Sequence, residues 1–135
     1  MKQINVYLTF DGNCGEAMTF YAAALGAEVE LMKFVDMPNC PAGAGDRIMH
    51  SRVFKGVALL MASDTMPGMP FQLGNNSSVS VDCESAAEVD QFSAALGVGG
   101  KMTMPPQDMF WGAYFAMLTD KFGIPWMFNF DKSKK

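Results

Sequence analysis

Hydrophobic and polar residues alternate in two short segments of the chain, residues 5–10 and 76–81. Alternation with a period of two is typical of a strand that buries one face and leaves the other face polar. The apolar faces consist of Val6, Leu8 and Phe10 in the first segment and of Val79 and Val81 in the second. The polar faces consist of Asn5, Tyr7 and Thr9, and of Asn76, Ser78 and Ser80. The pattern therefore predicts two strands with matching faces.

These two strands belong to an internal repeat that has no gaps at its matched positions. Asp82 lies 71 residues after Asp11, and the same spacing separates Gly97 from Gly26. Each copy therefore contains a strand that ends on Asp, a helix, and an Ala-Ala-Leu-Gly sequence at the end of the helix. We expect both glycines to end their helices in the left-handed conformation.

Apolar residues recur at helical spacing after each of these strands. The positions are Ala17, Met18, Tyr21, Ala24 and Leu25 in the first copy and Val89, Phe92 and Leu96 in the second. This periodicity predicts an amphipathic helix that covers the apolar face of its own strand. Ser85, with Glu88 three residues later, matches the capping box that begins many helices.

Three further strands are predicted after each helix from their β-branched, aromatic and alternating residues. Their ranges are about 27–34, 47–54 and 57–63 in the first copy and about 100–104, 109–119 and 124–130 in the second. Residues 37–46 and 65–76 are rich in Pro, Gly and Asn and are predicted loops. The expected architecture is a single α+β domain of two βαβββ modules, residues 1–135. Repeat 1 covers about 3–64, a linker 65–76, and repeat 2 about 77–130.

Composition and charge exclude several classes of protein. Half of the 135 residues are hydrophobic, but no apolar run approaches the ~20 residues that cross a bilayer. The 14 acidic residues outnumber the 10 basic ones, and four of the basic residues lie at the chain ends, which argues against a nucleic-acid surface. Three widely spaced cysteines indicate neither a disulfide framework nor a zinc site. We therefore expect a cytoplasmic protein that binds neither membranes nor nucleic acids.

Five segments of the chain resemble a known family. They are Phe10-Asp-Gly-Asn-Cys14, Ile48-Met-His-Ser-Arg52, Leu60-Met-Ala-Ser-Asp64, Phe110-Trp111 and Thr119-Asp-Lys-Phe-Gly-Ile-Pro-Trp-Met127. With the repeat, they make residues 4–130 similar to the PhnB-like family of the vicinal oxygen chelate superfamily, also labelled demethylubiquinone 3-methyltransferase-like. The resemblance implies the glyoxalase/bleomycin resistance/dihydroxybiphenyl dioxygenase-like fold, in which two βαβββ modules form a cupped mixed sheet. It implies no single activity, because one fold supports many chemistries.

The metal site of that superfamily's enzymes is not expected in this chain. The resemblance aligns Asn5, Asn76 and Asn129 with the two His positions and the Glu position that hold the metal there. Neutral amides are poor ligands for zinc, nickel or iron, and His50 is the only histidine. The sequence also lacks a glycine-rich strand-to-helix turn, followed by an acidic residue, that would hold a nucleoside cofactor. We therefore expect neither a metal nor a cofactor.

His50 is the candidate catalytic residue. It shares a strand face with Arg52, and histidine is the side chain that most readily exchanges a proton near neutral pH. A hydrogen-bonded structural role is the alternative, since the strand period does not tell which side of the sheet His50 faces. The candidate ligand-binding residues are Asn5, Tyr7, Thr9, Asn76, Ser78, Gln107, Trp111 and Asn129. The aromatic residues of the second copy form either a pocket wall or ordinary core.

A cysteine at the start of the first predicted helix has two interpretations. The helix dipole could lower the pKa of the Cys14 thiol and make a reactive thiolate. Free cysteines are more often buried and inert, which favours a structural role for Cys14.

Three functions remain open from the residues and the resemblance. The first is a protein that binds a small organic molecule without the usual metal, with His50 as proton carrier if it is an enzyme. The second is a metal-dependent glyoxalase-like lyase, isomerase or dioxygenase that recruits carboxylates such as Asp64 or ligands from a second subunit. The third is a drug-sequestering protein of the bleomycin-resistance type. In each case we expect a homodimer, because apolar residues on both sheet faces need cover.

Overall fold

The computed structural model describes residues 1–133, which form two compact units. The first unit comprises Met1–Gln72 and the second begins at Leu73, so the boundary lies inside the predicted linker. Within residues 1–133 the chain forms the eight strands and two α-helices that the sequence predicts. No helix in this range is both long and apolar enough to span a bilayer. The expectation of a single domain stays a prediction.

The first unit forms a mixed sheet with a helix on one side. Its elements are β1 (Val6–Phe10), α1 (Cys14–Leu25), β2 (Glu28–Lys33), a 3-10 helix (Phe34–Asp36), β3 (Ile48–Lys55) and β4 (Ala58–Asp64). The strand order is β1-β4-β3-β2. Strands β1 and β4 run parallel, whereas β3 pairs antiparallel with both β4 and β2. The alternating pattern predicted β2, β3 and β4 to within one residue at each end.

The second unit repeats this arrangement. Its elements are β5 (Val79–Asp82), α2 (Ala86–Leu96), β6 (Lys101–Asp108), β7 (Ala113–Thr119) and β8 (Pro125–Asp131). The strand order is β5-β8-β7-β6, with β5 parallel to β8 and the remaining pairs antiparallel. Both sheets therefore have the connectivity of a βαβββ module, and the predicted α+β fold class is confirmed.

In the first unit, α1 covers one face of the sheet. Met18 and Tyr21 of α1 are fully buried, and the Tyr21 ring lies 6.4 Å from the ring of Phe10 on β1. Burying one such large side chain stabilises the fold by about 1.5–3 kcal/mol. The side of this sheet opposite α1 is the helix-free face of the first sheet.

In the second unit, two aromatic residues of β8 belong to the core. The rings of Trp126 and Phe128 stack with an interplanar angle of 4°, and both residues are fully buried. The indole Nε1 of Trp126 donates a hydrogen bond to Asp120 Oδ2 at 2.8 Å, which satisfies its only polar atom. These rings are therefore core, as one of the two sequence interpretations held.

The two helix ends differ although their sequences match. Gly26 ends α1 with φ of 63°, in the left-handed conformation that the sequence predicts. Gly97 ends α2 with φ of −77°, so the left-handed prediction is wrong there, and Gly99 has positive φ instead. A Cβ atom at position 97 would lie 2.8 Å from the Ser93 carbonyl oxygen. Glycine at this position therefore relieves a close backbone approach.

The capping box of α2 is confirmed. The Ser85 side chain accepts a hydrogen bond from the Glu88 N–H at 3.1 Å, and Glu88 Oε1 accepts one from the Glu84 N–H at 2.9 Å. These two bonds satisfy backbone donors that a helix start leaves without partners.

Strands β6 and β7 depart from their predicted ranges. Strand β6 continues through Pro105 and Pro106 to Asp108, where the sequence predicted a loop, and β7 begins at Ala113 instead of 109. Proline lacks the N–H that a central strand needs, but β6 is an edge strand that pairs only with β7. The pairing of β6 with β7 shifts register on both sides of Met104, so an irregular edge accommodates the prolines.

Candidate functional site

The helix-free face of the first sheet carries polar side chains from all four strands. Register places Tyr7 of β1 beside Met61, Met61 beside Arg52 and Arg52 beside Glu30. His50 lies beside Met32 of β2, and its side chain contacts Tyr7. His50 and Arg52 therefore share a face, as predicted, and that face is the one opposite α1.

Tyr7 and His50 form a hydrogen-bonded and stacked pair. The Tyr7 hydroxyl lies 3.0 Å from His50 Nδ1, and the ring centroids are 5.7 Å apart with an interplanar angle of 25°. Tyr7 is 47% exposed, so solvent and a small molecule both reach the pair. Neutral histidine has one donor nitrogen and one acceptor nitrogen. Whichever role Nδ1 takes in the bond to Tyr7, Nε2 takes the other.

A cavity of about 420 Å³ lies at the edge of this face. Its lining comes from β2, the 3-10 helix and β3: Glu30, Leu31, Met32, Asp36, His50, Ser51 and Arg52. A volume of a few hundred cubic ångströms suits a small organic molecule. Leu31 and Met32 supply apolar surface, and the other five lining residues supply polar or charged groups that can fix the orientation of a ligand.

Arg52 is held in place from two sides. Its Nε and Nη2 atoms donate to Glu30 Oε1 at 2.9 and 2.7 Å, and its guanidinium lies 4.5 Å from the ring centroid of Phe54. Both partners of the ion pair are largely exposed, so water screens their attraction. The pair therefore orients the guanidinium and offsets its charge, but it adds little to the stability of the sheet.

Hydrogen bonds anchor the wall that carries Asp36. The Phe34 N–H donates to the Arg47 carbonyl and the Val35 N–H to the Gly45 carbonyl, at 3.0 and 3.1 Å. The Arg47 Nη1 donates to Asp11 Oδ1 at 3.0 Å and to the Thr65 carbonyl at 2.9 Å. The hydrogen bond from Arg47 holds the pKa of the Asp11 carboxyl below its usual value. The end of β1 thus fixes the segment before β3, to which the cavity wall is bonded.

Asp64 is buried on the α1 side of the first sheet. Its Oδ1 accepts hydrogen bonds from the N–H groups of Gly12 and Cys14 at 2.8 and 3.0 Å, and its Oδ2 accepts one from the Ile48 N–H at 2.8 Å. The carboxylate joins the start of α1 to β3. Because three backbone donors engage its carboxylate on the side opposite His50, the geometry does not favour the alternative in which Asp64 helps to complete a metal site.

The cysteine at the start of α1 is an inert thiol. Cys14 is fully buried, its sulfur lies 3.4 Å from the Ser51 hydroxyl, and burial raises the pKa of its thiol to about 11. Burial likewise raises the pKa of Cys83 to about 12. Desolvation outweighs the helix dipole here, so the reactive interpretation of Cys14 is wrong and the structural one holds.

The second sheet brings three of the predicted ligand-binding residues together on its helix-free face. Phe115 of β7 lies directly opposite Gln107 of β6 and Asn129 of β8. Trp111 packs its ring edge against Phe115, with centroids 5.7 Å apart, and is 49% exposed. The Gln107 Nε2 donates to the Pro105 carbonyl at 3.1 Å. Two amides thus flank an aromatic pair on this sheet.

The remaining predicted ligand-binding residues lie at or outside strand ends. Thr9 is on β1, opposite Ser63 of β4, on the same face as Tyr7. Asn5 lies one residue before β1, where its Nδ2 donates to the Gln3 side chain at 3.2 Å. Asn76 and Ser78 lie in the exposed segment before β5, because that strand begins only at Val79. The prediction that Asn76 and Ser78 are strand residues is therefore wrong.

The residues at these positions do not fit the metal that the superfamily's enzymes use. Asn5 and Asn76 offer neutral amides outside the strands, and Asn129 adds a third amide. Among residues 1–133, no three His, Cys, Asp or Glu side chains converge closely enough to hold an ion. The donor chemistry of these three amides therefore does not fit coordination of such a metal.

Sequence reasoning missed Glu30, Met32 and Asp36 of the cavity, whereas Phe115 of the second sheet belongs to the aromatic residues that it considered as a pocket wall. In β2, Glu28, Glu30 and Met32 alternate with Val29 and Leu31. The strand period could therefore have placed Glu30 and Met32 on one face. Asp36 gave no signal, because its position depends on the 3-10 turn and on hydrogen bonds from distant residues.

Comparison with known proteins agrees with this fold. A family model described as 3-demethylubiquinone-9 3-methyltransferase matches residues 2–128. The chain belongs to this family. Protein YjdN from Escherichia coli K12 is 34% identical, and the alignment covers 97% of each chain. The family match confirms the predicted PhnB-like, demethylubiquinone 3-methyltransferase-like family.

Solved structures of other proteins have the same architecture. Protein PA1353 from Pseudomonas aeruginosa is 42% identical, with a TM-score of 0.89 over 97% of this chain and 98% of its own. A putative 3-demethylubiquinone-9 3-methyltransferase, PhnB protein, from Bacillus cereus has a TM-score of 0.77 over 96% and 99%, at 24% identity. A glyoxylase/bleomycin resistance protein/dioxygenase domain from Frankia has a TM-score of 0.71 over 100% and 96%, at 16% identity. The last two likenesses concern the fold alone.

Proposed function

We propose that this family member binds a small organic molecule on the helix-free face of the first sheet, with Tyr7, His50 and Arg52 as its polar contacts. The observation that carries the proposal is the exposed Tyr7–His50 pair beside the cavity of about 420 Å³. A polar pair at the mouth of a pocket fixes the orientation of a ligand, while apolar wall residues, here Leu31 and Met32, supply contact area.

The charges around the cavity narrow the class of molecule. Glu30 and Asp36 supply two carboxylates, whereas Arg52 supplies one guanidinium that already bonds to Glu30. An anionic ligand would meet uncompensated negative charge from Asp36 at the cavity wall. We therefore propose an uncharged or cationic ligand with a planar group that packs on the exposed rings of Tyr7 and His50.

A fragment screen tests the proposal directly. Uncharged and cationic planar compounds, with carboxylate analogues for comparison, are screened for an increase in melting temperature of the whole protein. Hits are titrated calorimetrically into the wild type, His50→Ala, Tyr7→Phe and, as a matched control, Tyr114→Phe. Tyr114 also bonds through its hydroxyl, to Asp90 at 2.7 Å, but lies in the second unit.

We expect the two site variants to weaken binding about 2- to 10-fold, which corresponds to one hydrogen bond, while Tyr114→Phe binds as the wild type does. Equal affinity for all four proteins would place the ligand elsewhere and overturn the proposal. Stronger binding of the carboxylate analogues would contradict the proposed charge preference.

We also propose Gln107, Trp111 and Asn129 as ligand contacts on the second sheet. The support is that Trp111 is half exposed, whereas the other tryptophan, Trp126, is buried. A planar ligand that stacks on Trp111 should therefore change the intrinsic fluorescence, and Trp111→Phe should abolish the change. Persistence of the change in that variant would rule out Trp111 as a contact.

We propose that the protein is a homodimer in the cytoplasm. Large apolar side chains such as Phe110 at 96% exposure support an interface, and three free thiols are compatible with a reducing compartment. Light scattering after gel filtration should give twice the monomer mass of 14.7 kDa. A monomer mass across the accessible concentration range would contradict the dimer.

A further inference from the structure

The Tyr7–His50 pair joins two strands that are not neighbours. Strand β4 lies between β1 and β3, so the two side chains meet above β4 from backbones about 9–10 Å apart, two strand spacings. An exposed hydrogen bond of this kind adds at most about 1 kcal/mol to stability. Stability alone therefore gives little reason for two ordered polar side chains to meet at the mouth of a cavity.

We propose that Tyr7 and His50 form an acid–base dyad that moves a proton on a carbonyl compound bound in the cavity. This inference rests on the proposed binding function and adds a reaction to it. The dyad has the geometry of such a device: a hydroxyl and an imidazole 3.0 Å apart, both partly exposed, with the imidazole also lining the cavity.

One of the two possible directions of the Tyr7–His50 hydrogen bond gives the pair the atoms of an acid–base device. When His50 Nδ1–H donates to the Tyr7 oxygen, His50 Nε2 carries a free lone pair and is a base. The Tyr7 O–H is then free to donate to a carbonyl oxygen of the ligand. The dyad thus presents a proton acceptor and a proton donor side by side, which is what the removal of a proton next to a carbonyl group requires.

The step balances without any other reactant. The C–H bond next to the carbonyl breaks, and its proton passes to His50 Nε2. Its electron pair forms a carbon–carbon double bond while the carbonyl π electrons move to oxygen, which takes the hydrogen bond and then the proton of Tyr7. Return of a proton from His50 to the same carbon re-forms the C–H bond and the carbonyl group, and Tyr7 recovers its proton from the enol oxygen, so that in D2O a deuteron replaces the original proton.

The surroundings of the dyad favour an uncharged substrate. The charged groups that face His50 are Glu30 of β2, Asp36 of the 3-10 helix and Arg52 of β3, and the titratable group from β1 is Tyr7 itself. Strand β4 contributes uncharged residues to this face, Leu59, Met61 and Ser63. We therefore assign the substrate class as a small uncharged ketone or aldehyde with a hydrogen on the neighbouring carbon.

Hydrogen exchange tests the dyad. Acetophenone, phenylacetone, alpha-hydroxyacetophenone and dihydroxyacetone are each incubated with the whole protein in D2O that contains EDTA. Proton NMR then follows the loss of the signal from the carbon next to the carbonyl. Separate samples contain the wild type, His50→Gln, Tyr7→Phe or the control Tyr114→Phe. The melting temperature of each protein with and without the compound reports folding and binding separately.

We expect at least one compound to exchange with the wild type and the Tyr114→Phe control, and about 100-fold more slowly with His50→Gln and Tyr7→Phe. A residue with only a structural role would not abolish exchange while the variant keeps its fold and its thermal shift with the compound.

Two results would overturn the dyad. In the first, no compound exchanges faster with the wild type than with His50→Gln. In the second, exchange appears only when a divalent metal replaces EDTA. If the compounds still raise the melting temperature in a His50-dependent way, the binding proposal survives and only the reaction fails. If they neither bind nor exchange, both proposals fail for this substrate class.

Discussion

Asp64 carries the densest set of hydrogen bonds at a single side chain in the first unit's core. Its carboxylate accepts from the N–H groups of Gly12, Cys14 and Ile48, at the point where β1, α1 and β3 meet. Replacement by asparagine turns one acceptor oxygen into an NH2 group that faces a backbone donor. We expect Asp64→Asn to lower the free energy of unfolding by about 2–4 kcal/mol, measured by urea denaturation.

Asp46→Asn is the matched control, because Asp46 is exposed and lies two residues before β3 in the same unit. It should change the free energy of unfolding by less than about 0.5 kcal/mol. Equal effects of the two substitutions would show that the Asp64 hydrogen bonds contribute no special stability.

The three thiols should differ sharply in reactivity. Burial raises the pKa of Cys14 to about 11 and that of Cys83 to about 12, so at pH 8 only about one in a thousand Cys14 side chains is the nucleophilic thiolate. Cys40 is partly exposed. We expect iodoacetamide to label one cysteine, Cys40, in the folded protein and all three in urea, as followed by peptide mass spectrometry. Fast labelling of Cys14 in the folded protein would contradict its assignment as an inert thiol.

At the scale of single residues, sequence patterns predicted which side chains of one strand share a face, but not which side chain of another strand each one contacts. The period of two placed Tyr7 with Thr9, and His50 with Arg52, and these pairings are correct. The contact between Tyr7 and His50 was out of reach, because it depends on the strand order β1-β4-β3, which juxtaposes residues 43 apart in the chain. Asp36 was out of reach because its position depends on the 3-10 turn and on hydrogen bonds from residues distant in the chain.

The two helices begin with different capping arrangements, and the difference is measurable. Ser85 accepts a hydrogen bond from the Glu88 N–H, whereas the Asn13 side chain makes no cap hydrogen bond at the start of α1. We expect Ser85→Ala to lower the free energy of unfolding by about 1 kcal/mol and Asn13→Ala to lower it by only a few tenths. Chemical denaturation of both variants checks this, and a larger loss for Asn13→Ala would refute the assignment of the caps.

Uninterrupted strands were predicted well, and irregular ones were not. Strands β2, β3 and β4 were placed to within one residue at each end, although β4 contains a continuous apolar run from Ala58 to Ala62. Strand β6 contains two prolines, whose missing N–H groups argue for a loop until the strand is known to lie at a sheet edge. The conformation of Gly97 was not predicted, because sequence identity with the first repeat does not reveal a local backbone contact.

At the scale of the whole molecule, the internal repeat predicted both sheets, because two matched copies of one pattern must fold into two matched modules. The repeat did not predict function. The first sheet carries Tyr7, His50 and the cavity, whereas the second carries Gln107, Phe115 and Trp111 at its corresponding face. The two modules therefore share a backbone plan and differ in the chemistry of their exposed faces.

The most direct test of the account is a chemical-shift map of the ligand-bound protein. Uniformly 15N-labelled protein is titrated with the tightest hit of the fragment screen, and backbone amide shifts are followed for all assigned residues. We predict that the largest changes cluster on Tyr7, Met32, His50 and Arg52 of the first sheet. Changes confined to the α1 side of that sheet, or to residues beyond Leu73, would contradict the proposed site.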